Sequence, residues 1–151
     1  MRDILFRAKT EPNCKDVITG KIIKKPKWIY GYIDLGYMHD GRAPLISDEK
    51  GNKTYKCQYE TIGQFTGLTD KNGKKIFEGD IIQIPDDYNE FGHNAGEIYE
   101  VYFCCGGFRL KPKYSKARGY WLEDDRTVEV VGNVFDNSEL LKGGAENEQT
   151  D

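Results

Sequence analysis

Apolar and polar residues alternate at period two in short runs along most of this chain, and no stretch sustains the i, i+3, i+4 apolar spacing of a long helix. "DILFRAK" sets Ile4 and Phe6 against Leu5 and Arg7 and predicts a strand with one apolar face. After a turn-rich "TEPNCKDVITGK", the run "KPKWIYGYIDLGY" places Trp28, Tyr30 and Tyr32 on one face and Ile29, Ile33 and Leu35 on the other. Side chains of this kind on both faces predict a central strand or one packed against a second layer. Residues 38–53 are rich in Asp, Gly and Lys and read as a hairpin or an exposed loop. In "TYKCQYETIGQFTG" the β pattern resumes, with Tyr55, Cys57 and Tyr59 on one side before Glu60 and Thr61 break it.

Turn chemistry divides the second half. In "TGLTDKNGKKIFEGDIIQI", residues 66–84, Asp70 can accept a backbone N–H two residues on, and Asn72 and Gly73 tolerate the left-handed conformation. The chain is therefore expected to reverse between Leu68 and Ile76 and again at Gly79 and Asp80, before a strand of Ile81, Ile82 and Ile84 that Pro85 stops. "DDYNEFGHNAGE" reads as a mobile polar loop. "IYEVYFCCGGFRLKP" is a hairpin pattern, with Tyr99, Val101 and Phe103 on one face, Gly106 and Gly107 at the turn, and Phe108 and Leu110 returning. In "TVEVVGNVF" Gly132 marks a bulge or a close approach. Asn137 or Ser138 can cap the one helical turn "SELLK", and the acidic end "GGAENEQTD" reads as disordered.

Composition supports β structure, with 17 Gly, 10 Tyr, 7 Phe and 2 Trp in 151 residues. That length allows one principal core burying roughly 70% of the unfolded surface. The expected organisation is a β portion over residues 1–65 and a barrel-like β portion over 66–141 sharing the same core, followed by a disordered acidic tail over 142–151. No apolar run approaches the roughly 20 residues needed to span a bilayer, and "MRDILFRAKTEPN" is charged where a secretion signal is apolar, so a cytoplasmic location is expected. The net charge of -3 conceals polarity: residues 1–75 hold 15 Lys+Arg and 9 Asp+Glu (+6), and residues 76–151 hold 7 and 16 (-9). Opposed halves of this kind can steer a partner or draw copies of the chain together, so self-association is expected.

Most catalytic and metal signatures fail. An EF-hand starting at Asp70 would put Lys74 at its fifth position and Lys75 at its sixth, and no G-x-x-x-x-G-K-[ST] phosphate loop exists. Cys14, Cys57, Cys104 and Cys105 contain no C-x-x-C and are expected as free thiols. Neighbours on a regular strand point to opposite faces, so Cys104 and Cys105 make a poor chelating pair unless the strand bulges before Gly106. His39 lies beside Asp40, and His93 lies near Glu90 and Glu97. The run Glu123 to Asp125 could hold magnesium, but a solvated turn is the simpler expectation. No catalytic residue, cofactor or metal site is assigned.

Basic and aromatic residues interleave twice, and cations beside stacking rings are what single-stranded nucleic acid requires. One block has Lys21, Lys24, Lys25 and Lys27 ahead of Trp28 and Tyr30. The other, chosen as the candidate nucleic-acid site, comprises Arg109, Lys111, Lys113, Tyr114, Lys116, Arg118 and Trp121. A solvated basic loop with its aromatics turned inward would give the same pattern, and the acidic pI near 5.5 argues against indiscriminate binding.

The ordered blocks "RDILFRAK", "WIYGY", "ETIGQFTGLTDKNGKKIFEGDII", "YEV", "WLED" and "VEVVGNVFDNSELL" resemble the YopX family of phage and prophage proteins from Met1 to about Leu141. Residues 10–26 and 36–56 depart from the tighter family pattern. The resemblance implies a phage-encoded, mainly β protein and carries over no reaction, cofactor or catalytic residue. "EGDIIQI", "YEVYF", "FRL" and "VEVVGNVF" also resemble the strand order of a small SH3-like barrel. The expected fold is thus mainly β: a small SH3-like barrel in the C-terminal half, additional N-terminal strands and a short C-terminal helix. The expected function is a non-enzymatic accessory module that binds a host protein, a phage protein or itself. The alternatives are a nucleic-acid binder using residues 109–121 and, further off, a metal-dependent enzyme.

Overall fold

The computed structural model describes residues 4–34, 43–84, 96–113, 120–122 and 128–142, and the backbone alone at Tyr120 and Trp121. The protein is mainly β, with antiparallel sheets and, among the described residues, one four-residue α-helix, and it divides into two compact units, Met1–Phe65 and Thr66–Asp151.

In the first unit, β4 (Trp28–Asp34) is the central strand. β1 (Phe6–Lys9) flanks it on one side, β5 (Leu45–Asp48) and β6 (Thr54–Lys56) follow on the other, and β7 (Gly63–Thr69) pairs with the outer edge of β1. Registers Ala8↔Ile29, Ile33↔Ile46 and Ile46↔Tyr55 bring the apolar members of each strand to one face. There Ala8, Ile29, Ile46, Tyr55 and Cys57 form a core with Cys14 of β2 (Cys14–Lys15), and Ile23 of β3 (Ile22–Ile23) and Ile62 pack against it. Gly31 sits on this face because a Cβ there would overlap the Ser47 backbone carbonyl.

The turn-rich segment after β1 is thus a short hairpin, β2–β3, lying over the core. Asp16 anchors it: Oδ1 accepts the backbone N–H of Ile18 at 3.0 Å and of Thr54 at 2.9 Å, and Oδ2 accepts the Thr19 hydroxyl. Burial alone would raise this carboxyl, but the hydrogen bonds from Thr19, Thr54 and Ile18 outweigh it and hold the pKa down at about 2.

In the second unit the end of β7 reverses into β8 (Lys75–Phe77) through the turn at Asp70–Gly73. Asp70 Oδ1 accepts the N–H of Asn72 at 2.8 Å and of Lys74 at 2.9 Å, and Gly73 takes φ +79°. After a turn at Gly79 the chain enters β9 (Asp80–Gln83), which lies between β10 (Ile98–Cys104) and β13 (Glu129–Asn133). β11 (Gly107–Pro112) and β12 (Tyr120–Trp121) complete a sheet of order β12-β11-β10-β9-β13. Ile76, Ile82, Ile84, Tyr99, Val101, Leu110 and Val128 form its core. Tyr99 is buried with its hydroxyl satisfied by Glu97 Oε2 at 2.6 Å.

Among the described residues this sheet is not closed into a barrel, and the mainly β part of the expectation is what holds. Closure requires the first and last strands to pair. Among the described residues β12 pairs only with β11, and β13 only with β9. A register shift between Val130 and Gly132 marks the bulge in β13, as the glycine suggested. Gly132 is needed because the Asn137 carboxamide occupies the space a Cβ would take. Asn137 Oδ1 accepts the Asn133 N–H at 3.2 Å, and the helical turn α1 (Glu139–Lys142) is entered through the Asn137 and Ser138 carbonyls.

Candidate functional site

Period two and the β4 register fix which side chains share the face opposite the first unit's core. Arg7 and Lys9 of β1 stand opposite Tyr30 and Trp28, and Ser47 and Thr54 continue the row beyond Tyr32. Trp28 is half-buried, whereas Tyr30 and Tyr32 are 42% and 55% exposed. A tyrosine on a central strand ordinarily loses most of its surface to a covering layer, so two in succession at these values define an open aromatic strip.

The strip is cationic along one margin. The Arg7 guanidinium lies 4.8 Å from the Trp28 ring centroid and is almost wholly buried, and the Lys9 ammonium lies 5.7 Å from the same ring. Both distances suit attraction to the π face, and the buried cation braces the indole. Lys21, Lys24, Lys25 and Lys27, which precede Trp28 in the chain, are all exposed. Asp34, at the far end of the same strand face, is also exposed and caps the strip with one negative charge. "DILFRAK" thus departs from its expected single apolar face: Ile4 is exposed, while Leu5 and Arg7 are buried. The Trp28 ring, diagonal to Arg7 on the neighbouring strand and absent from the local pattern, lies against the buried cation.

A separate cavity of about 400 Å³ in the same unit is lined by Phe6, Ile33, Tyr59, Glu60 and Ile62. Its walls are mainly apolar, with the Glu60 carboxylate and the Tyr59 phenol as polar groups. Tyr59, expected beside Tyr55 and Cys57, instead begins a 3-10 turn (Tyr59–Thr61) and is exposed.

The 109–121 block is only partly visible. Arg109 is half-buried on β11, opposite Tyr102 on one side and the Trp121 backbone position on the other. Lys111 is exposed and stands opposite Glu100, and Lys113 is half-buried. Tyr114, Lys116 and Arg118 lie outside the described residues, as do His39, His93 and Glu123 to Asp125. Among the described residues no group of three or more His, Cys, Asp or Glu could hold a metal ion, and no helix is long and apolar enough to cross a membrane.

Burial pushes the Cys57 thiol up to about 12 and raises Cys14 as well. Cys104 and Cys105 stand at the tip of the β10–β11 hairpin, where Cys105 takes φ +55° and Gly106 φ +83°. Two central residues with positive φ make a type I′ hairpin turn. Leaving the strand conformation at Cys105 turns its side chain back toward Cys104, and the two Sγ atoms lie 3.0 Å apart. The alternation of a regular strand, which would separate them, ends at Cys104.

The chain is 28% identical over 125 residues to the SPbeta prophage-derived uncharacterized protein YopX of Bacillus subtilis (strain 168), covering 72% of this chain and 90% of that protein. It is also similar to a protein from Enterococcus faecalis of known crystal structure, at 20% identity and a TM-score of 0.46, with 93% of this chain and 99% of the other covered. The family model described as "YopX protein" matches residues 16–142, and the chain therefore belongs to the YopX family.

Proposed function

We propose that this protein is a non-enzymatic binding module of a prophage, working in the cytoplasm of the bacterial host, and that the open face of its first sheet is the contact surface. One observation carries the reading: Tyr30 and Tyr32 are exposed on a central strand beside Trp28. Rigid aromatics give much contact area for little lost conformational freedom, and Trp, Tyr and Arg dominate the energetics of protein interfaces. The likeness to a prophage-derived relative supplies the biological setting.

A protein partner fits best, whether from the host, from the phage or a second copy of this chain. Arg7 is buried against Trp28 and is therefore spent on bracing the face instead of reaching a phosphate. The exposed run Lys21, Lys24, Lys25 and Lys27 favours a second reading, single-stranded nucleic acid whose bases stack on the tyrosines. In this reading the first unit, with its exposed rings, takes precedence over Arg109, Lys111 and Lys113.

The test compares the native tyrosines with a Tyr30→Ala/Tyr32→Ala variant in photo-cross-linking from position 34, exposed on the same strand face, inside lysogenic host cells, alongside titration with labelled single-stranded DNA at 50 and 200 mM salt. Protein cross-links lost in the double variant support the first reading. DNA binding that falls steeply with salt and needs both rings supports the second. Cross-links and DNA binding that are absent, or unaffected by the double substitution, remove the face as a contact surface.

A further inference from the structure

The hairpin tip carries two sulfurs that the binding face does not use. A type I′ turn calls for Asn, Asp or Gly at its first central position. Cys105 holds that place at φ +55°, a backbone conformation in which its side chain brings strain, and it is exposed, so no packing offsets the strain. What the position does produce is proximity, with Cys104 Sγ and Cys105 Sγ at 3.0 Å. Phe103 and Phe108, a cross-strand pair with ring centroids 5.3 Å apart in edge-to-face contact, clamp the strands just behind the tip.

We propose that Cys104 and Cys105 form a vicinal dithiol site for a soft trivalent metalloid centre, of which a monosubstituted arsenical is the chemical type. Neighbouring Cα atoms lie about 3.8 Å apart across a trans peptide, below the roughly 4.4–6.8 Å span of relaxed disulfides, so the pair is better suited to bridging a third atom than to closing on itself. Metal–sulfur bonds of about 2.3 Å reach one common atom from two sulfurs this close. The angle at that atom is then near a right angle, as a pyramidal trivalent centre prefers. A linear two-coordinate ion would need the sulfurs much farther apart. Tetrahedral zinc would need two further ligands, and among the described residues no such group is assembled.

With phenylarsine oxide the step balances without any change of oxidation state. Both S–H bonds and the As=O bond break, two As–S bonds form, and the oxygen leaves as water carrying both thiol protons. Cys14 and Cys57 are buried and their thiols are held protonated, so they serve as internal controls in the folded chain.

The test adds equimolar phenylarsine oxide to the reduced full-length protein, with free-thiol titration and peptide mass mapping. The expected result is one arsenical per chain, two thiols lost, and the adduct mapped to the peptide holding Cys104 and Cys105. Cys104→Ser and Cys105→Asn should each weaken capture by at least about 100-fold, because the second bond then loses its intramolecular advantage. The Asn variant is suited to the turn and keeps the hairpin folded. Four intact thiols in the wild type, an adduct on Cys14 or Cys57, or equally tight capture by Cys105→Asn would overturn the proposal.

Discussion

Asp70 and Val130 lie 60 residues apart and meet where the carboxylate Oδ2 accepts the Val130 backbone N–H at 3.1 Å. The other oxygen of the same carboxylate closes the turn at Asn72 and Lys74. One buried side chain therefore does two tasks, turning the chain between β7 and β8 and fastening that turn to the bulged strand β13. Backbone pairing of Lys71 N–H with the Val128 carbonyl at 2.9 Å and the Lys71–Glu129 ion pair at 3.2 Å reinforce the join.

Replacing Asp70 by Ala leaves three backbone N–H groups without their acceptor, two in the turn and one at the bulge. Partial access of water to the turn limits the penalty, so a loss of about 3 kcal/mol is expected. Urea denaturation should show the midpoint falling with little change in slope. Asp70→Asn, which keeps one carbonyl oxygen, should lose less than Asp70→Ala.

Acid should weaken the fold through the same class of interaction. Hydrogen bonds hold the Asp16 pKa at about 2 against burial, and those from Val130, Lys74 and Asn72 likewise lower that of Asp70. An unfolded aspartate titrates near pH 3.9, so the unfolded chain takes up protons first as the pH falls. The stabilisation from Asp16 is therefore complete above about pH 4 and is lost progressively as the pH falls through its folded value of about 2. Urea midpoints measured from pH 5 to pH 2 should fall across that window, and Asp16→Asn should be less stable at pH 7 with a flatter acid limb.

These two aspartates mark what sequence alone discloses. The Asp70 turn is legible because its donors Asn72 and Lys74 are two and four residues away; the hairpin reversal is legible from the glycine pair between two alternating runs, but it falls at Cys105–Gly106 and not at Gly106–Gly107, because Cys104 pairs with Gly107. The bond to Val130 is not legible, since nothing local encodes a partner 60 residues on. β4 shows the same division. Its alternation predicted a strand and its mixed faces a central one, but Ile29 and Ile33 are as apolar as Trp28 and Tyr30 are aromatic, so periodicity could not choose the face turned to solvent. That choice comes from Cys14 and Ile23 of the β2–β3 hairpin, which join the isoleucine side through the tie of Asp16 to Thr54. For this reason the letters alone show Trp28 and Tyr30 only as aromatics beside lysines and favour residues 109–121, where basic and aromatic residues interleave more densely.

Gly31 offers a sharper test of the core face than any apolar residue. An alanine methyl there would meet backbone of β5, which cannot rotate away as a side chain can. Gly31→Ala should therefore cost about 2–3 kcal/mol by forcing β4 and β5 apart. Gly73→Ala meets no atom within 4 Å and carries only the strain of φ +79°, so about 1 kcal/mol is expected. A ranking in which Gly73→Ala is the more damaging, read from thermal midpoints of the two variants, would contradict the β4–β5 register.

The aromatic strip predicts a separation of stability from binding. Tyr30 and Tyr32 keep much of their surface in water, so truncating either to Ala should cost less than about 1 kcal/mol, mostly through lost cross-strand contacts to Arg7 and Ser47. Trp28→Ala should cost more, because it strips the buried Arg7 guanidinium of the ring it lies against at 4.8 Å. Circular dichroism melts of the three variants give the ordering directly. If Tyr30→Ala or Tyr32→Ala lowers the melting midpoint as far as Trp28→Ala, the tyrosines are holding the sheet together, and the case for an open contact surface fails with them.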